Sequence, residues 1–287
     1  ECVMNLAQAF QEKLIDRFEM MSLAEQLYSI NQQSQYILSP DNIEFQDGYF
    51  VFHDTVRVKK KEILLNLSAL LSSVFAVTDR RLTSIFMNHY LSYLNNVQAY
   101  KYLPKSKRKP FIVACGGLSG SGKSRVSREI APFLTQPFGA IIIRDDIVRK
   151  QLVGVPFDVQ LDDRFFTPEN EARVYREMRR QAKYALMAGY PVVLDALFWN
   201  PEERKKIEHF AHQINVPFEG FWMRASLQAR AERVQSRQHN PSDVKNQNAL
   251  EKQLSYNTGV IFWRLIDTDG AKEQTLAGVR KQLKKYL

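Results

Sequence analysis

The sequence is poor in cysteine, with Cys2 and Cys115 as the two examples among 287 residues, and it has no long uninterrupted apolar run. Two cysteines provide no disulfide framework. No segment approaches the ~18 apolar residues of a membrane-spanning helix. The N-terminal residues also lack the basic start and apolar stretch of a signal peptide. From these absences we expect a soluble protein of a reducing, cytoplasmic compartment.

Positive charge is concentrated in the C-terminal part of the chain. Residues 1–104 contain 9 Lys and Arg against 11 Asp and Glu, so the overall net charge of +9 arises entirely from residues 105–287. Such an excess is typical of a protein that handles ATP with an anionic second substrate, and also of a nucleic-acid binder. Charge alone does not distinguish these two classes.

The most specific motif runs from Gly116 to Ser124 and follows the apolar run 111–115. From Gly117 it matches G-x-x-x-x-G-K-[ST], the loop whose backbone N–H groups surround the phosphates of a nucleoside triphosphate. Lys123 is predicted to reach the β- and γ-phosphates, and the Ser124 hydroxyl is predicted to hold Mg²⁺. A flexible Gly/Ser turn is the alternative. The residues predicted to bind the nucleotide here are Gly117, Leu118, Ser119, Gly120, Ser121, Gly122, Lys123 and Ser124.

Strand-like and helix-like segments alternate after residue 110. The predicted strands are 111–115, 140–143, 191–194, 218–223 and 260–266. This alternation indicates an α/β fold with a five-stranded, mostly parallel sheet covered by helices. We expect this domain, residues 111–287, to be preceded by a smaller, mainly helical domain, residues 1–103. The basic segment 104–110 is bracketed by prolines and is predicted to link the two.

Two of the predicted strands end in acidic residues, at the edge of the sheet where doubly wound folds bind ligands. Asp146 is predicted to be the general base that deprotonates an attacking hydroxyl. Asp145 is predicted to lie on the acceptor side. Arg149, which lies one helical turn after Asp146, is predicted to lie on the same side and to bind an anionic group of the acceptor. Asp195 is predicted to hold Mg²⁺ through water or to contact the reacting groups. Each Asp has a structural alternative, because aspartate is common at helix starts and in turns.

Arg230, Arg233 and Arg237 follow i, i+3, i+7 spacing and share one face of a predicted helix, 226–237. A mobile helix with this face would close over the nucleotide and neutralise charge on the transferring phosphoryl group. We predict that Arg233 and Arg237 are catalytic and that Arg230 binds the nucleotide. A solvated basic face is the alternative.

Together these motifs resemble the P-loop kinases of the polynucleotide-kinase and zeta-toxin type, and most of all the predicted-kinase domain found fused behind aminoglycoside-phosphotransferase-like domains. The stretches that carry the resemblance are 116–124, 144–150, 194–204, Arg233 with Arg237, and 240–243. The resemblance implies ATP and Mg²⁺ as cofactors, Asp146 as general base, Arg149 as an acceptor contact, and Arg233 and Arg237 as lid arginines. Asp145 departs from the pattern, since that family usually has a small hydroxyl residue there.

We therefore predict an ATP- and Mg²⁺-dependent phosphotransferase that moves the γ-phosphoryl group to a hydroxyl acceptor. A 5′-hydroxyl of a nucleic acid or nucleotide fits the positive charge of this part of the chain. A small metabolite, drug or nucleotide sugar fits almost as well. A nucleotide-gated interaction module without turnover is the alternative from another class. The presence of Asp146, Asp195 and the arginine face favours the enzyme.

The N-terminal part has a weaker pattern. An apolar stripe predicts one amphipathic helix over 5–30, formed by Leu6, Phe10, Leu14, Phe18 and Met21. The layout resembles the C-terminal lobe of lipopolysaccharide (Kdo-type) and aminoglycoside kinases, with Asn42 matching the metal-binding Asn and Asp54 the Asp after the following hairpin. Ile37 stands where that lobe has its catalytic Asp, so the resemblance implies a degenerate remnant that acts as scaffold or partner surface. An unrelated helical domain is the alternative.

Overall fold

The structure is a computed structural model that describes residues 4–12, 15–33, 36–37, 43–46, 49–53, 56–57, 80–93, 100–101, 103, 106, 108–236 and 247–287. The sequence predictions for Asn42, Asp54, Arg237 and the segment 240–243 lie outside the described residues. Among the helices of the described ranges, none combines the length and apolar character that crossing a bilayer requires.

The N-terminal part contains three helices and five short strands within the described residues. In chain order they are β1 (Met4–Asn5), α1 (Leu6–Gln11), α2 (Arg17–Gln33), β2 (Tyr36–Ile37), β3 (Ile43–Gln46), β4 (Tyr49–Phe52), β5 (Val56–Arg57) and α3 (Arg80–Tyr93). Strands β3 and β4 form an antiparallel hairpin beside β1, and β2 pairs with β5. Helices α2 and α3 pack against each other, and Leu23, Phe86 and Tyr90 are buried in their shared core.

Asp16 divides the helix that the sequence predicts over 5–30. Its carboxylate accepts hydrogen bonds from the N–H groups of Phe18 (2.5 Å) and Glu19 (3.3 Å), and the Glu19 carboxylate accepts one from the N–H of Asp16 (2.9 Å). This reciprocal arrangement is a capping box, which begins a new helix at Arg17. The prediction of one continuous helix is therefore wrong. Phe18, which the prediction places on the apolar stripe, is exposed.

The C-terminal part contains a five-stranded sheet in which every pair of strands is parallel. In chain order its elements are β6 (Ile112–Gly116), α4 (Lys123–Leu134), β7 (Ile141–Arg144), α5 (Asp145–Val153), α6 (Pro168–Met187), β8 (Val192–Asp195), α7 (Pro201–Gln213), β9 (Phe218–Arg224), α8 (Leu227–Gln235), α9 (Gln247–Leu254), β10 (Arg264–Asp267) and α10 (Lys272–Leu283). The strand order is β7-β8-β6-β9-β10, which places β6 at the centre. The predicted α/β fold class is confirmed.

The local sequence explains where these elements begin. All five residues of β6 are buried, as expected for a central parallel strand covered on both faces. Helix α6 begins after Thr167, whose hydroxyl accepts the N–H of Asn170, and α7 begins after Asn200, whose side chain accepts the N–H of Glu202. A proline occupies the first turn of each helix. An N-cap Thr or Asn followed by Pro is a common start of a helix, so the local sequence accounts for both starts.

The last strand is shorter than the predicted strand 260–266, because β10 begins at Arg264. The Arg204 guanidinium donates hydrogen bonds to the carbonyls of Thr258 (2.5 Å) and Val260 (3.2 Å). Phe262 is almost fully exposed. A strand start at Val260 is therefore a wrong prediction, since this segment is held by a side chain rather than by β9.

Helix α3 covers the outer edge of the sheet at β7. The Asn88 side chain accepts a hydrogen bond from the N–H of Ile142 (2.6 Å) and donates one to the carbonyl of Ala140 (3.2 Å). These bonds satisfy backbone groups that an edge strand otherwise leaves unpaired. One cluster of buried apolar side chains extends from α2 and α3 to β7 and β8. The division into domains at 104–110 stays a prediction.

Candidate active site

The phosphate loop connects β6 to α4 at the carboxyl edge of the sheet. Gly117 and Gly120 have positive φ angles of 135° and 80°. A Cβ atom at Gly120 would lie 2.5 Å from the carbonyl oxygen of Arg230, and one at Gly117 would lie 2.4 Å from that of Met223. Glycine is therefore required where the loop passes β9 and α8.

Lys123 and Ser124 lie together in the first turn of α4, directly after the N-cap Gly122. The free N–H groups of a helix N-terminus and its positive dipole end favour a bound phosphate. The Lys123 ammonium is largely buried and donates a hydrogen bond to the carbonyl of Leu118 at 3.2 Å, back across the loop. The Lys123 side chain thus turns back over the loop that the sequence predicts to bind the phosphates.

Arg144 joins the two carboxylates predicted to be catalytic and metal-binding. Its Nη2 atom donates a hydrogen bond to Asp146 Oδ2 at 2.5 Å. Its Nε atom lies 3.9 Å from Asp195 Oδ2. Arg144 and Asp195 are also paired in register, because β7 and β8 end at the same level. The sheet therefore brings the two acids together at one edge, as predicted from the strand ends.

Asp195 is almost fully buried, yet its Oδ2 atom accepts no hydrogen bond from the described residues. A buried carboxylate oxygen without a donor is costly unless a cation or an ordered water satisfies it. Asp195 pairs in register with Cys115, next to the start of the phosphate loop. The described ranges contain no group of three His, Cys, Asp or Glu side chains able to hold a metal ion. The Asp195 oxygen that lacks a hydrogen-bond donor is compatible with Mg²⁺, which usually keeps waters and phosphate oxygens among its ligands. The roles of Ser124 and Asp195 as its protein ligands stay predictions.

Asp145 links the end of β7 to the segment after β8. Its carboxylate accepts hydrogen bonds from the N–H groups of Asp146 (2.8 Å) and Leu197 (3.2 Å). Burial, together with the negative charges of Asp146 and Asp195, raises the pKa of Asp145 to about 7. The predicted role on the acceptor side stays a prediction. These hydrogen bonds show that Asp145 connects the end of β7 to the segment that follows β8.

Arg149 lies on the predicted acceptor side, where α5 approaches α6. Its guanidinium donates hydrogen bonds to Glu171 Oε1 (2.5 Å) and to the carbonyl of Phe165 (3.0 Å), and it stacks over the Phe166 ring at 4.6 Å. The side chain is largely buried. Contacts to α6 and the preceding turn therefore fix its position, and its contact with an acceptor stays a prediction.

Helix α8 packs its arginines onto the phosphate loop. Arg230 is buried and donates from Nε to the carbonyl of Ser119 at 2.8 Å. Arg233 donates to the carbonyls of Gly120 (3.3 Å) and Thr268 (2.5 Å). The alternative of a fully solvated basic face is therefore wrong for these two residues. Their predicted roles toward the nucleotide stay predictions.

Two further residues support the loop, and the sequence analysis missed both. Gln253 of α9 accepts a hydrogen bond from the N–H of Ser119 (2.9 Å) and donates one to the Ser119 hydroxyl (2.8 Å). The Thr268 hydroxyl donates to the carbonyl of Ser121 at 2.9 Å. Thr268 directly follows β10 at the carboxyl edge, so its position could have identified it. Gln253 has no comparable signal in the sequence.

The chain shares sequence with two mycobacterial relatives of undefined activity. It is 29% identical over 174 residues to an uncharacterized protein of Mycobacterium bovis and to one of Mycobacterium tuberculosis, which covers 58% of this chain and 33% of each relative. The matched part of the chain thus spans about a third of the length of these relatives.

The chain is also similar to solved structures. A gluconokinase from Sinorhizobium meliloti is 21% identical with a TM-score of 0.44, covering 62% of this chain and 97% of that one. An APS kinase from Mycobacterium tuberculosis is 17% identical with a TM-score of 0.40, covering 63% of this chain and 99% of that one.

A family model covers the phosphate loop, the acidic strand ends and the arginine helix described above. This model, for an AAA domain, matches residues 112–258, which is just over half of the 287 residues. The chain therefore belongs to the AAA domain family.

Proposed function

We propose that this protein is an ATP- and Mg²⁺-dependent phosphotransferase that transfers the γ-phosphoryl group to a hydroxyl acceptor. The observation that supports it best is the placement of Asp146 and Asp195 on either side of Arg144, at the sheet edge that also holds the phosphate loop. Phosphoryl transfer needs three groups close together: a loop that binds the phosphates, a carboxylate that binds the metal ion and a base that deprotonates the attacking hydroxyl.

Each group has a distinct part in the proposed reaction. The loop amides and Lys123 hold the β- and γ-phosphates, and Ser124 and Asp195 hold Mg²⁺, which neutralises phosphate charge when bound. Asp146 accepts the proton of the acceptor hydroxyl. The hydroxyl oxygen then forms a bond to the γ-phosphorus while the bond between that phosphorus and the oxygen of ADP breaks. Arg233, with Arg237, stabilises the charge on the transferring group.

The finer family type is also part of the proposal. The segments 144–150 and 194–204 and the arginines of α8 support a kinase of the polynucleotide-kinase and zeta-toxin type. The net positive charge of residues 105–287 is compatible with a 5′-hydroxyl of a nucleic acid or nucleotide, and also with a smaller anionic acceptor.

An ADP-release assay tests this function. The protein is incubated with ATP and Mg²⁺, with and without a panel of nucleotides, sugars and 5′-hydroxyl oligonucleotides. We expect at least one acceptor to stimulate ADP release and to gain the label from γ-labelled ATP. Tight ATP binding without stimulation by any acceptor would instead indicate the nucleotide-gated interaction module.

A further inference from the structure

A cavity of about 480 Å³ lies beside the candidate active site, between α5, α6 and the turn Asp163–Phe165. Its volume falls in the range of roughly 300–1,000 Å³ that is usual for small-molecule sites. Its lining contains no residue of the phosphate loop and none of the three aspartates Asp145, Asp146 and Asp195. The cavity is therefore separate from the space predicted for ATP.

The lining of this cavity combines cations with an apolar wall. It contains the arginines Arg149, Arg164 and Arg173 and the amide of Asn170, but no acidic side chain. Leucine, valine and phenylalanine side chains form the remaining wall. Guanidinium groups in this number suit a phosphate or carboxylate, which they bind through charge-assisted hydrogen bonds. The apolar wall suits the carbon skeleton to which such an anion is attached.

The three arginines differ in how strongly the protein engages them. Arg149 is bonded to Glu171, and Arg164 forms a loose, exposed ion pair with Asp162 at 3.5 Å. Arg173 makes no ion pair or hydrogen bond within the part of the chain that the structure describes. The exposed Arg164 and Arg173 therefore supply donors for a ligand, while Arg149 forms a fixed inner wall.

The cavity lies close enough to Asp146 for a ligand bound in it to be the phosphoryl acceptor. Asp146 and Arg149 are three residues apart on α5, which corresponds to roughly 4.5 Å along the helix axis. A molecule whose anion lies in the cavity can thus place a hydroxyl near the proposed base. We propose that the cavity binds the phosphate or carboxylate group of a small, hydroxyl-bearing acceptor. This rests on the proposed phosphotransfer and narrows its acceptor to small anionic molecules.

A binding experiment tests the cavity without any turnover. Phenyl phosphate, benzoate and neutral benzyl alcohol are titrated by ligand-observed NMR into protein saturated with Mg²⁺ and a non-hydrolysable ATP analogue, which fills the phosphate loop. We expect the Kd of one anionic probe to rise about tenfold or more in the double variant Arg164→Gln/Arg173→Gln, because charge-assisted bonds are lost. The matched control is Arg176→Gln, an exposed arginine of α6 outside the lining.

Two outcomes of the binding experiment would contradict the proposed anion site. Equal affinities for the anions and benzyl alcohol would overturn the proposal, and so would an unchanged Kd in the double variant. Unchanged affinity for the ATP analogue in all variants shows that each is folded. Comparison of phenyl phosphate with benzoate indicates which anion the cavity prefers.

Turnover then tests whether the ligand is the acceptor. With small phosphorylated or carboxylated alcohols, we expect the acceptor KM of the double variant to rise about tenfold or more, with kcat and the KM for ATP unchanged. Turnover with only oligonucleotides, or an unchanged acceptor KM, would overturn the inference and leave phosphotransfer standing. Anion binding without ADP release for any acceptor would overturn the proposed function and leave an anion site in the cavity.

Discussion

Arg144 donates a hydrogen bond of 2.5 Å to Asp146, the residue that we propose as the base, while its Nε atom faces Asp195. One guanidinium thus contacts two acids, one in the first turn of α5 and one at the end of β8. The two contacts therefore link the proposed base to the acid that is predicted to hold Mg²⁺.

Replacing Arg144 by Met removes this shared cation. We expect kcat to fall about tenfold or more, with the KM for ATP unchanged, because Asp146 loses its orientation while the phosphate loop stays intact. We also expect the free energy of unfolding to fall by about 1–3 kcal/mol, since two neighbouring carboxylates lose their partner. Steady-state kinetics and urea unfolding measure both effects. Arg224→Met, which breaks an exposed ion pair with Asp267, should change neither.

Gln253→Ala tests the support of the loop. Both hydrogen bonds between Gln253 and Ser119 are buried, so their loss leaves loop groups unsatisfied and loosens the anion cradle. We expect the Kd for ATP to rise about tenfold, as measured by calorimetry. Gln228→Ala on the exposed surface of α8 is the control. Unchanged ATP affinity in Gln253→Ala would show that the cradle does not need this clamp.

Arg233→Ala tests the arginine helix. The guanidinium contacts the phosphate loop at Gly120, and loss of a cation that stabilises the transferring group typically lowers kcat by ~10²-fold. We expect this fall in kcat, a smaller effect on ATP binding, and partial recovery of kcat in Arg233→Lys. If the variant weakens ATP binding and leaves kcat unchanged, Arg233 positions the loop and has no catalytic role.

The raised pKa of Asp145 predicts how stability depends on pH. Between its ordinary value of 3.8 and about 7, the folded protein keeps a proton that the unfolded chain has released. The folded state therefore binds more protons in this window, and the free energy of unfolding falls as pH rises through it. Asp145→Asn cannot titrate but can still accept the N–H of Leu197, so it should flatten this decline. Urea unfolding of the ligand-free protein across the window measures the slope, and an equal slope in the variant contradicts the assignment.

The parts of the site that are formed by residues close together in the sequence could be predicted from the sequence alone. The phosphate loop, the acids at the ends of β7 and β8, and the caps of α6 and α7 all follow from short patterns. Contacts across the chain were not predictable. Gln253 reaches Ser119 from 134 residues away, and Asn88 caps an edge strand 54 residues further along.

The two wrong predictions, the helix over 5–30 and the strand start at Val260, have a physical cause as well. An apolar stripe has the same period on both sides of Asp16, so periodicity alone does not show the break that the capping box with Glu19 creates. Similarly, Val260 and Phe262 suggest a strand, but Arg204 binds the carbonyls of that segment. In both places a side-chain hydrogen bond decides against an otherwise reasonable pattern.

The most direct test compares the wild-type protein with Asp146→Asn in two parallel assays: binding of Mg²⁺ and an ATP analogue by calorimetry, and transfer of label from γ-labelled ATP to an acceptor. We predict equal nucleotide affinity and transfer reduced to background in the variant. Full transfer by Asp146→Asn would contradict the assignment of the base and the mechanism built on it.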